Sequence, residues 1–126
     1  MRIVESGPAD APALLLLHGL SARLEIWDRW AELLSKDFRV IRIDLPGHGC
    51  TPRPSPDNPT IDADLKVVRD VLKAKGITHF SVAGNSRGGW LAWLLAAEHP
   101  EMVDKLILID SIGLDARPGR LDRSPL

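Results

Sequence analysis

Near the middle of the chain, His79-Phe80-Ser81-Val82-Ala83 runs into Gly84-Asn85-Ser86-Arg87-Gly88-Gly89, which passes directly into an apolar helical pattern from Trp90 to Ala97. A Gly-x-Ser-x-Gly run held between a strand and a helix leaves few folds open. The strand must end in so sharp a reversal that side chains beside the serine would clash, and glycine removes the Cβ atoms that stand in the way. The serine hydroxyl is then lifted above the end of a sheet. That position suits nucleophilic attack by Ser86 on an acyl carbon, once a base activates the hydroxyl. No histidine follows His99 in this sequence, so the base is not evident.

The remaining pattern is one of alternating strands and helices. Ala13-Leu14-Leu15-Leu16-Leu17, stopped by His18-Gly19, is apolar on both faces and suits a strand buried in a parallel sheet. Ser21 is placed to cap the next segment, where Leu24, Trp27, Ala31 and Leu34 recur at helical spacing. Phe38 to Ile43 predicts a second strand, ending at Asp44-Leu45-Pro46-Gly47-His48-Gly49. From Cys50 to Pro59 four prolines in ten residues predict loop.

Thr60 reads as an N-cap, with Asp62 and Asp64 in a first turn where the helix dipole favours acids. Ile61, Leu65, Val68 and Leu72 form one apolar stripe, Lys73 and Lys75 close the helix, and Gly76 stops it. Thr78 to Ala83 predicts the strand before the serine, Ser86 to Glu98 the helix after it, and Leu106 to Ile109 a fourth strand ending at Asp110. Strands and helices in this alternation imply βαβ crossovers and an α/β fold with a parallel sheet. The tail from Asp115 to Leu126 has no periodic pattern and reads as loop.

Composition limits the function classes. At 126 residues, 44% hydrophobic and 26% charged, the chain has room for one domain, 1–126, of ordinary globular type. A formal net charge of −1 gives no electrostatic case for nucleic acid or an anionic membrane. The opening Met1 to Pro8 is too polar for a signal peptide, and Ala13 to Leu17 is too short to span a bilayer. The single Cys50 excludes an internal disulfide and fits a reducing, cytoplasmic setting. There is no Gly-rich phosphate loop, no cofactor motif and no metal-ligand spacing. The expected ligand is a small-molecule acyl substrate.

Attack by Ser86 would place negative charge on the carbonyl oxygen, and two backbone N–H groups stand ready for it. The Arg87 N–H opens a helix, and the Leu20 N–H follows His18-Gly19 at a strand end. Leu14 to Gly19, Asp44 to Gly49, Gly84 to Gly89 and Leu106 to Asp110 together resemble the successive landmarks of the α/β-hydrolase superfamily, in its order and approximate spacing, over Ala13 to Gly113. The Asn-Ser-x-Gly-Gly elbow is similar to those of lid-bearing esterases and of hydrolases that cleave carbon–carbon bonds. Arg87 departs from the pattern, since Met, Leu or Gln is more usual there.

The resemblance implies a three-layer αβα domain whose first strand lies between the second and third, with the fourth beyond. It also implies a serine hydrolase acting on an ester or similar acyl bond. The family's triad runs serine, acid, histidine, with the last two after later strands. The chain therefore reads as a truncated N-terminal half lacking those strands and the lid, weakly active or inactive alone. Its last strand would leave an apolar edge along Lys105 to Ile109, which invites self-association. Some members carry their acid where Asp110 stands.

The other residues have plainer readings. His18 belongs to the turn before Leu20, His48 braces a Gly-His-Gly turn, His79 lies at a strand entrance, and His99 sits at a helix C-terminus. Cys50 has no paired histidine. Trp90, Trp93 and Leu94 share a helix face suited to core packing, and Trp27 and Trp30 read as half-buried. Two further readings stay open: acyl transfer to an acceptor other than water, and a non-catalytic remnant or binding module of the same fold.

Overall fold

The computed structural model describes residues 1–52 and 60–113. The expected loop from Cys50 to Pro59 lies for the most part, and the expected tail from Asp115 wholly, outside the described residues. Five strands form one sheet: β1 (Ile3–Ser6), β2 (Ala13–Leu17), β3 (Arg39–Ile43), β4 (Phe80–Asn85) and β5 (Val103–Ile109), in the order β1-β3-β2-β4-β5. The pairings β3-β2, β2-β4 and β4-β5 are parallel, as the alternating pattern predicts. The sheet as a whole is mixed, because β1 pairs antiparallel with β3 from Ile3↔Ile43 to Ser6↔Val40. This short edge strand was not anticipated.

Among the described residues the three α-helices are α1 (Asp28–Leu34), α2 (Ile61–Ala74) and α3 (Arg87–Glu98). Ser21 does not cap α1. It has a left-handed φ of 59°, and the chain enters α1 through a 3-10 turn, Leu24–Trp27, that has no side-chain cap. For α2 the signals hold. Thr60 Oγ1 accepts the Ala63 N–H at 3.1 Å. At the other end Ile77 N–H reaches Leu72 O and Gly76 N–H reaches Lys73 O, a Schellman closure in which Gly76 has φ +66°. The strand before the serine ends two residues later than predicted, at Asn85, and the last strand starts earlier, at Val103.

Alternation along the strands divides the core between two faces. Leu15, Leu17, Ile41, Ile43 and Val82 pack beneath α2 and α3, while Leu14, Leu16, Val40 and Ala83 pack beneath Trp27 and Ala31. Helices thus cover both faces, giving the three layers. The chain leaves β2 toward β3 on one side and β4 toward β5 on the other. The carboxyl ends of β2 and β4 are therefore the point where the connection reverses direction, which is where ligands bind in open α/β sheets.

Candidate functional site

Ser86 stands at that point, between the last residue of β4 and the first of α3, with φ 52° and ψ −114°. Such backbone costs on the order of 1–3 kcal/mol and persists only where neighbours hold it. Two glycines let those neighbours approach. A Cβ at Gly84 would lie 2.2 Å from Gly88 O, and one at Gly88 would lie 2.2 Å from Leu17 O and 2.5 Å from His18 O. The first turn of α3 is therefore seated on the end of β2 with no space for a methyl group. The elbow is also tied to the end of β5. Ser86 N–H donates to Ile109 O at 3.1 Å, Ile112 N–H to Ser86 O at 3.3 Å, and Asn85 Nδ2 to Ile109 O at 3.1 Å.

The loop after β2 meets the elbow from the other side. Gly19 faces Ser86 so closely that a Cβ there would be 3.1 Å from the Ser86 Cβ. Leu20, next in sequence, is 60% exposed. Among the described residues neither the Leu20 N–H nor the Arg87 N–H has a hydrogen-bond acceptor. Asp110 is exposed at the end of β5 with φ +46°, between the two residues that bond to the Ser86 backbone.

His18 is fully buried and hydrogen-bonded at both nitrogens. Nε2 accepts the Leu45 N–H at 2.9 Å, so Nδ1 carries the proton and donates to Gly19 O at 2.8 Å. Burial, aided by the nearby His48 ring, lowers its pKa and keeps the imidazole neutral. Its lone pair is already engaged. His48 Nδ1 lies 3.1 Å from Pro46 O inside a turn closed by the His48–Thr51 bridge. His79 is near Asp104 and His99 near Glu101, both at the amino ends of the strands and far from Ser86.

Two carboxylates carry more of the site than the sequence pattern suggested. Asp44, fully buried, accepts the Leu24 N–H and the Cys50 N–H, each at 2.9 Å, and faces Arg2. Burial alone would raise its pKa. The two N–H donors and the Arg2 cation outweigh it, and the pKa falls below the usual carboxylate value. Asp64 was expected only as a first-turn acid favoured by the α2 dipole. It is also fully buried and pairs with Arg87 at 2.7 Å. A signal was available: Asp64 falls three residues after Ile61 and four before Val68, on the apolar stripe itself.

Trp90 takes the core place expected of it and Trp93 is only partly buried, while Trp27, expected half-buried, is fully buried and Trp30 is half-buried as expected. Trp90 is buried against Gly113, and Trp27 meets Trp30 edge-on at 4.9 Å. Cys50 is exposed. Among the described residues no three His, Cys, Asp or Glu side chains gather as metal ligands would, and no helix is long and apolar enough to cross a membrane. An apolar cavity of about 350 Å³, lined in part by Leu72, Ile77, Phe80, Leu95 and Met102, opens at the amino ends of the strands, remote from Ser86.

Comparison with known proteins agrees with this fold. The chain is 33% identical to the human monoacylglycerol lipase ABHD6 over 109 residues, 85% of this chain and 32% of the relative. It is 36% identical to human epoxide hydrolase 4 over 111 residues, 85% of this chain and 30% of the relative. Among solved structures, a membrane phospholipase A described as a bacterial virulence factor superposes with a TM-score of 0.85 at 37% identity, covering 94% of this chain and 37% of that one. The chain thus spans about a third of the length of the curated relatives it matches. Residues 12–125 match the family described as alpha/beta hydrolase fold, and the chain belongs to that family.

Proposed function

We propose that this chain carries the nucleophile and oxyanion hole of a serine hydrolase that cleaves carboxylic esters or similar acyl bonds. The observation that supports this best is the left-handed φ of Ser86 between β4 and α3, with Gly19 packed against it. Ser86 Oγ attacks the acyl carbon, and the carbonyl electrons move to oxygen. The Leu20 and Arg87 N–H groups receive that charge, each worth about 3 kcal/mol in the transition state. A base takes the Ser86 hydroxyl proton and returns it to the leaving oxygen as collapse expels the alcohol; water then hydrolyses the acyl-serine ester, releasing the acid and restoring the Ser86 hydroxyl.

The identity of the nucleophile favours acyl substrates over the epoxide chemistry of one relative. Serine attack on an acyl carbon gives an ester that water can reopen. Attack on an epoxide carbon gives an ether that water does not cleave under mild conditions, and the enzyme would stall after one turnover.

The base is the missing component. His18 has both nitrogens engaged, His48 is held by Nδ1 against Pro46 O within its own turn, and His79 and His99 lie at the wrong end of the sheet. In this reading the catalytic histidine comes from residues outside this sequence, and Asp110, on the segment bonded to the elbow, is a candidate acid. Residues 1–126 then act as one core domain, and the lone exposed Cys50 suits a reducing, cytoplasmic location.

The test compares the 126-residue chain with the full-length gene product, each with and without Ser86→Ala, on one activated aryl ester. Loss of a triad histidine costs on the order of 10⁶ in turnover. The short chain should therefore be slow and nearly indifferent to Ser86→Ala, while the full-length product should be fast and abolished by it. Fast, Ser86-dependent turnover by the short chain would show that a base lies within it. No Ser86-dependent turnover in either would favour a non-catalytic module of the same fold.

A further inference from the structure

Arg87 is the first residue of α3, and its side chain is only 2% exposed, beside an Asp64 side chain with no exposure. Its Nη2 and Nε donate to Asp64 Oδ2 at 2.7 and 3.3 Å. A cation is disfavoured at a helix N-terminus, where the dipole is already positive. Burial adds a second cost, and Arg87 Nη1 is buried without a hydrogen-bond acceptor among the described residues. Apolar residues of similar volume commonly stabilise a fold as well as a buried ion pair does. Stability alone therefore does not call for this pair.

Orientation does. Two N–H groups of one planar guanidinium on a single carboxylate oxygen fix direction as well as distance. The pair links the first turn of α2 to the residue covalently attached to Ser86. Ser86 is held in strained backbone by β2 on one side and the end of β5 on another, and the Arg87 side chain supplies a third hold through α2. We propose that the Arg87–Asp64 ion pair is a positioning device: it fixes the turn at Ser86 and aims the Arg87 N–H at the developing oxyanion. The catalytic half of this proposal rests on Ser86 being the nucleophile, whereas the mechanical half does not.

The experiment uses the full-length gene product as wild type, as Arg87→Lys, and with Arg87→Met combined with Asp64→Leu. Turnover of an activated aryl ester is measured together with amide hydrogen exchange at Ser86 and Trp90. The paired apolar replacement should melt close to wild type, exchange about tenfold faster at Ser86, and lose about tenfold or more in kcat with KM changed less than about twofold. Arg87→Lys, which keeps the charge but not the fork, should fall between. If the double variant fails to fold, Arg87→Lys carries the test. Wild-type kcat and exchange in a folded variant would overturn the proposal, as would a raised KM with kcat unchanged, which would mean that Arg87 touches substrate. Exchange is read without catalysis. Full activity in Ser86→Ala would thus remove the nucleophile reading, while unchanged exchange would remove this one.

Discussion

Gly88→Ala offers a sharp test of how the elbow is seated. The new methyl would lie 2.2 Å from Leu17 O and 2.5 Å from His18 O, both of them backbone atoms. Leu17 is paired on both sides, opposite Ile43 in β3 and Gly84 in β4, so β2 cannot retreat. The helix must move instead, by about 1 Å to restore ordinary contact. Alanine in place of glycine within a helix returns about 1 kcal/mol. Overpacking against fixed backbone costs about 3 kcal/mol or somewhat more. The net expectation is a loss of about 2 kcal/mol or more.

Because Ser86 is carried at the head of the moving helix, the displacement also reaches the site. A misplacement of about 1 Å can cost on the order of 10²-fold in rate. In the full-length gene product, urea denaturation reads the stability loss, and the rate of Ser86 phosphonylation by a fluorophosphonate reads the displacement. Gly76→Ala is the control. It has nothing within 4 Å of its Cβ but φ +66°, so it should cost about 1–2 kcal/mol of backbone strain and leave labelling unchanged. If Gly88→Ala labels within about twofold of wild type and loses under about 1 kcal/mol, the close seating of α3 on β2 does not govern the elbow.

Two further outcomes are expected. The folded-state pKa of His18 is depressed, chiefly by burial, so its contribution is present above the unfolded value near 6.5 and is lost as pH falls below it. The stability gap between wild type and His18→Asn should therefore narrow between pH 7 and pH 5, and a constant gap in urea midpoints would refute it. We also propose that the 126-residue chain self-associates through β5, which pairs only with β4 among the described residues and exposes Leu106 at 38% and Ile107 at 41%. Sedimentation should show oligomers that Ile107→Lys reduces, whereas a clean monomer at tens of micromolar would count against it.

Much of the architecture is local and therefore legible. Strands buried on both faces must be apolar without interruption, which is how Leu14–Leu17 announces β2. The α2 helix carries its own stripe, cap and stop, and Gly-x-Ser-x-Gly fits only a turn whose neighbours tolerate no Cβ. With the alternation of strand and helix, these local signals determine a parallel α/β core with a serine at its carboxyl edge. What they cannot carry is partnership across the fold. Ile3–Ser6 becomes a strand only because β3 offers it an edge, so three half-buried residues and the exposed Glu5 show no pattern of their own. An acid in the first turn of a helix looks solvated until Arg87, 23 residues away, is folded against it. Nothing local to His18 reveals that the Leu45 N–H, 27 residues away, occupies its lone pair. Local sequence sets which backbone is allowed, whereas the charge state and hydrogen bonding of a buried polar group depend on what distant residues bring to it. Only the tertiary structure decides that.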